Sequence, residues 1–147
     1  MLVETLIKLF NRDLNKLKVE VASYKNEEHL WLVEKEINNC AGNLVLHIVG
    51  NLNHFIGAIL GNTGYVRERE NEFSLKNVPK TQLLKQIDDT LLVVEKTLNS
   101  ITDKDLKNEF PIVVFKEKMT TAYFLVHLTT HLTYHLGQIN YHRRLLD

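Results

Sequence analysis

The sequence predicts an all-α protein, a four-helix bundle with two long connections, in one domain covering 1–147. Three observations lead there. Apolar residues recur at steps of three and four in four separate stretches, which is the period of a helix packed on one side. Two prolines and six glycines leave little turn material for a β-sandwich. The length of 147 residues suits one domain with a sizeable core.

The first helix is expected over about 2–22, where Val3, Leu6, Phe10, Leu14, Leu17 and Val21 form the stripe. Residues 23–40 are mixed. Leu30–Val33 suits a short turn or extended piece over one bundle end, with His29 at the surface. The second helix is expected over about 41–60 on Leu44, Ile48, Leu52, Phe55 and Ile59. His47, Asn51 and His54 share one flank of that stripe. A glycine inside a helix costs about 1 kcal/mol against alanine. Gly50 and Gly57 therefore mark close approach by a neighbour or a ligand. Gly61 to Gly64 ends the helix.

Residues 65–79 read as a connection with order of its own. Leu84, Ile87, Leu91, Val94 and Leu98 give the third helix, about 81–99. Thr102 is placed to cap a short turn. Phe110–Phe115, short and β-branched, is expected to lie extended across the bundle. Thr120 or Thr121 caps the fourth helix, whose stripe is Leu125, Leu128, Leu132, Ile139 and Leu146. The connections before helices three and four are long enough to cross the bundle, so a simple up-down-up-down order is not forced.

Composition excludes several functions. Lys plus Arg equals Asp plus Glu at 18 each, so no bulk charge draws nucleic acid or an anionic membrane. No uninterrupted apolar run approaches a membrane span, and the charged N-terminus does not read as a signal peptide. Cys40 is the only cysteine. That rules out a disulfide framework and points to a reducing, cytoplasmic setting. Its reading is a small buried hydrophobe.

Chemistry concentrates in the last helix. His131 and His135 stand one turn apart, about 6 Å in rise, at the edge of the apolar stripe. Such a pair can hold one ion, and a catalytic site needs a third ligand and an open position. His127 lies two turns from His135, and His142 lies about 10 Å beyond it along the axis. The third ligand must therefore come from another helix, where His47 and His54 both qualify. The competing reading is that these histidines are satisfied by backbone carbonyls or buried water. The charged run Arg67, Glu68, Arg69, Glu70, Glu72 is placed to line the site mouth and hold an anionic substrate, or else is a self-paired loop. Arg143 and Arg144 suit the end of a helix.

The segment from His131 to Gln138, HLTYHLGQ, resembles the last-helix signature of DinB-like four-helix-bundle proteins. The segment Asn43–Leu52, NLVLHIVGNL, resembles their helix-two histidine segment, and Arg67-x-Arg69-x-x-Glu72-Phe73 is similar to a motif of one uncharacterised branch. The resemblance runs through nearly the whole chain, in order. It implies a divalent metal on His47, His131 and His135, choosing His47 over His54, which spacing leaves as the alternative ligand, and an unusual helix order; zinc or nickel is the first expectation for the ion. It also implies a homodimer. Some relatives are metal-dependent transferases of low-molecular-weight thiols to electrophilic small molecules. Asn51, Glu72, Tyr134 and Gln138 are then candidates to orient ligands or substrate. Two alternatives stand beside thiol transfer: a hydrolase using bound water, and a metal-free helical assembly protein.

Overall fold

The computed structural model describes residues 1–147. Five α-helices form the fold: α1 (Leu2–Ser23), α2 (Ala41–Leu52), α3 (Arg69–Ser74), α4 (Lys80–Asn99) and α5 (Thr121–Leu146). A π-helical stretch, Asn53–Leu60, continues α2. The four long helices make the bundle. The fifth, α3, is one short turn-and-a-half inside the connection that the charged composition of 65–79 marks only as ordered.

Cross-links between helices give the chain order. Lys18 reaches Asp88 at 2.7 Å, and Lys80 Nζ reaches the Tyr24 carbonyl at 3.1 Å, so α1 and α4 run antiparallel. Thr133 donates to Asp13 at 2.6 Å and Asn140 to Glu20 at 2.6 Å, so α1 and α5 run parallel. His47 meets His131, while Phe55 meets Phe124 with ring centroids 4.9 Å apart, so α2 and α5 are antiparallel. The order is up, down, down, up. Only the connection carrying α3 must traverse the bundle. The connection before α5 returns at the same end.

The parallel contact of α2 with α4 explains two glycines. A Cβ on Gly57 would lie 3.0 Å from Val93 Cγ1, and one on Gly61 would press into the Thr97 hydroxyl. This contact also corrects the stripe of α4. Its fully buried residues are Leu83, Ile87, Thr90, Val94, Thr97 and Leu98, while Leu84 and Leu91 are only half-buried. Threonines beside small residues let two backbones approach, which apolar counting misses. Thr90 also accepts from Asn53 Nδ2 at 2.8 Å.

The helix Ala41–Leu60 is long and apolar enough by composition to cross a membrane, with 67% of its apolar window buried inside the protein. It is apolar on nearly every side because α3, α4, α5 and the turn Glu27–Trp31 pack around it. Asn43, His47, Asn51, Asn53 and His54 interrupt it, so no uninterrupted apolar run of spanning length is present. Phe110–Phe115 does not cross the bundle as a strand. The isolated bridge Glu109–Thr120 closes an irregular loop, in which Phe110 is buried against Phe124 and Val113 and Phe115 face outward. With one bridge and no neighbouring strand, the β-branched run has no ladder to join.

The termini are fastened by polar caps. Thr120 accepts from Tyr123 N–H at 3.1 Å and starts α5. Asp147 accepts from the Lys25 and Asn26 amides, and His29, expected at the surface, is half-buried with Nδ1 3.1 Å from the same carboxylate. Leu30–Val33 is largely the end of a 3-10 turn, Glu27–Trp31, whose indole packs on Gly42. Cys40 is buried and donates to Asn43 Oδ1 at 2.8 Å.

His142 is a structural tie and stands apart from the histidine cluster. Its Nε2 donates to the Leu32 carbonyl at 2.9 Å, so Nδ1 accepts from the Tyr24 hydroxyl at 2.7 Å. Burial pushes the Tyr24 phenol well above its ordinary range. Tyr24→Phe leaves the buried Nδ1 unpaired and is expected to cost about 1–3 kcal/mol. Urea denaturation of the two proteins measures this directly.

Candidate metal centre

The site starts from spacing. His131 and His135 project from one face of α5, one turn apart, and α2 crosses with His47 opposite them. The three rings meet edge to face, with centroids 4.5–5.1 Å apart. His47 Nε2 and His135 Nε2 each lie 3.1 Å from His131 Nε2. One nitrogen from each of the three residues falls within 4.8 Å of the others. Three nitrogens at tetrahedral angles around an ion with bonds of about 2.0–2.1 Å would be about 3.3 Å apart. The donors thus fit a zinc-sized ion.

Their outer nitrogens are held in turn. Glu72 Oε1 accepts from His47 Nδ1 at 2.9 Å, and Gln138 Oε1 accepts from His135 Nδ1 at 2.7 Å. Each contact places the proton on Nδ1 and leaves a lone pair on Nε2. Both lone pairs point at His131 Nε2, which carries at most one hydrogen. It can satisfy one neighbour and not both. Burial, then His135 and His47, lower the His131 pKa to about 3, which keeps the ring neutral. A cation shared by three lone pairs resolves the conflict.

Glu72 comes from α3 and is buried. Arg67 grips it with two bonds, Nε to Oε2 at 2.8 Å and Nη2 to Oε1 at 2.9 Å. Burial pushes the Glu72 carboxyl up, but the hydrogen bonds from His47 and Arg67 outweigh it and hold the pKa below the usual range. The charged run is therefore self-paired at Arg67–Glu72, yet inside the site and not in solvent. Gly50 makes the room: a Cβ there would lie 2.6 Å from Glu72 Cδ. Asn43 holds α3 in place through its Nδ2, bonded to the Glu72 and Leu75 carbonyls at 2.9 and 2.8 Å. Asn43 and Arg67 in these roles were not singled out by the spacing of histidines. The glycine inside α2 was the available signal.

His54 is not among the three clustered residues. It lies seven residues beyond His47, about 10 Å further along the helix and so away from the level of His131 and His135. Its ring packs on Phe55 at 4.7 Å. His127 stacks on Phe124 and sits 6.2 Å from the His131 ring. Asn51 is 7% exposed, and its Oδ1 has no hydrogen-bond partner. Tyr134 is 65% exposed, with its ring 5.4 Å from His135. A cavity of about 530 Å³ adjoins His135, lined by Ile37, Leu44, Tyr134, Gln138 and Tyr141 among others.

Stability of the metal-free protein should depend on pH through these groups. Burial depresses His131, His135 and His142 below the ordinary histidine range. The unfolded chain takes up protons as pH falls through about 6.5 while the folded protein does not, so stability falls with acid. Tm of the metal-free protein is expected to be flat above pH 7.5 and to drop between pH 7 and 5. A Tm constant across that window contradicts the burial argument.

No curated protein matches this chain. Residues 2–147 match the model of a family described as Protein of unknown function (DUF1572), and with the match spanning nearly every residue the chain belongs to that family.

Proposed function

We propose that the protein is a metal-dependent enzyme whose His47, His131 and His135 hold one divalent ion, zinc or nickel, and that it transfers a low-molecular-weight thiol to an electrophilic small molecule. The observation that carries the metal is the pair of Nε2 lone pairs aimed at a third imidazole that cannot serve both. Membership of DUF1572 within the DinB-like clan supports the same reading, as does the HLTYHLGQ signature.

When bound, the ion would lower the pKa of a thiol or water at its open position. The chain's own residues would do the rest. Glu72 and Gln138 fix the Nδ1–H tautomers of His47 and His135, so that these two imidazoles present Nε2 toward His131. Arg67 keeps Glu72 ionised, which strengthens His47 as a donor. The Phe73 ring, 5.0 Å from the His47 ring, limits water on that side. The carbon–sulfur bond forms as the leaving group departs with its electron pair, and the thiol proton passes to solvent. The proposal includes a cytoplasmic location and a homodimer, which follow from the lone cysteine and the resemblance.

Protein purified without a histidine tag is expected to contain about one divalent ion per chain by elemental analysis. Electrophiles incubated with it should be consumed only when a thiol is present, giving a thioether product in which the thiol's sulfur has replaced the leaving group. A product formed by water alone would assign hydrolysis. Metal-free protein without turnover would leave helical assembly.

A further inference from the structure

The geometry points to an oxoanion subsite, built from Asn51 and Arg67, that takes a carboxylate or phosphate group of the ligand beside the histidine cluster. It rests on the metal reading and deepens it by naming the ligand's chemistry.

Asn51 is the first observation. It follows His47 by one turn, so it shares that face of α2, and helix geometry leans its side chain back toward His47. Because α2 and α5 are antiparallel, Asn51 lies between the His47–His131 level and the Phe55–Phe124 level. It is 7% exposed, and its Oδ1 is buried without a partner. A buried amide left unpaired is costly in a core and is kept only where something else bonds it. The amide can turn to present NH2 or oxygen, so it can serve an acceptor or a protonated ligand.

Arg67 is the second. Its guanidinium spans the same level, bonded to Glu72 beside His47 at one end and lying 5.7 Å from the Phe55 centroid at the other. Nε and Nη2 are taken by Glu72, whereas Nη1 makes no hydrogen bond to the protein. Arg67 also lowers the pKa of both His54 and His131, after burial and, for His131, after its neighbouring histidines.

Charge is the third. Arg67 and Glu72 neutralise each other, and an imidazole that ligates through Nε2 while donating from Nδ1–H adds no charge. A bound divalent ion would leave the half-buried site with two uncompensated positive charges. A group that is anionic and rich in acceptor oxygens answers all three features at once.

The test uses Asn51→Leu, which keeps the volume and removes the orphan amide. Wild type and variant are compared by elemental analysis and by titration with inorganic phosphate and with acetate. Binding is read by calorimetry and Tm shift, on metal-loaded and metal-free protein. We expect unchanged metal content, an anion-free Tm equal to or above wild type, and anion affinity weakened roughly 10–100-fold. Preference for phosphate or acetate identifies the group. Equal anion affinity in the two proteins, or no anion binding to wild type in either form, overturns the subsite. Metal content reports separately on the metal reading: a wild type without metal that still binds anions through Asn51 keeps the subsite and removes the ion.

Discussion

His131→Ala is expected to reduce bound metal from about one ion per chain to a trace. His131 Nε2 is the point on which both other donors converge, 3.1 Å from each. Its removal takes away one of three ligands and the geometry of the remaining two. The loss in affinity should exceed the roughly 10–100-fold that losing a hydrogen-bonding neighbour of a ligand costs. Gln138→Ala, which releases the His135 tautomer alone, should fall within that smaller range. The metal-free Tm should barely change in His131→Ala, because the ring is half-buried and its only close polar contacts are competing imidazoles. Competition with a chromogenic chelator gives the affinities, and a His131→Ala protein that keeps its metal would remove the site from consideration.

Gly50→Ala should damage stability and metal affinity together. Alanine is favoured over glycine within a helix by about 1 kcal/mol. Here its Cβ would meet Glu72 Oε2 and lie 2.6 Å from Cδ, in a carboxylate clamped from the other side by Arg67. Overpacking of this kind costs about 1–3 kcal/mol, and separating a buried pair costs about 3–5 kcal/mol. The clash therefore outweighs the helix gain, giving a net loss of about 2 kcal/mol or more. Pushing Glu72 away also frees His47 Nδ1, so affinity should drop roughly 10–100-fold. Urea denaturation and chelator competition on one sample measure both. A stabilised Gly50→Ala with normal affinity would show that Glu72 does not occupy this gap.

The histidine pair on α5 could be read from sequence because a four-residue step fixes both its rise and its face. The third ring could not, since His47 and His54 share a flank of an ideal helix. What separates them is their level along the helix, about 10 Å apart, and which level faces His131 and His135 has no apolar signature. Glu72 was legible as a charged residue in a motif and as a candidate to orient a ligand, but not as the buried partner of His47. Its burial depends on the space above Gly50 and on Arg67, a pairing set by the path of α3 across α2. The bundle was legible from four apolar stripes, but the stripe on α4 was misjudged. Leu84 and Leu91 look more core-like than Thr90 and Thr97 until Thr97 is placed against Gly61 and Thr90 against Asn53.

The donor nitrogens of His47 and His131 are separated by 84 residues of chain. During synthesis the first would leave the ribosome long before the others, and it alone could not retain an ion. On the proposed metal reading, a complete three-histidine site would exist only once α5 is made and docked.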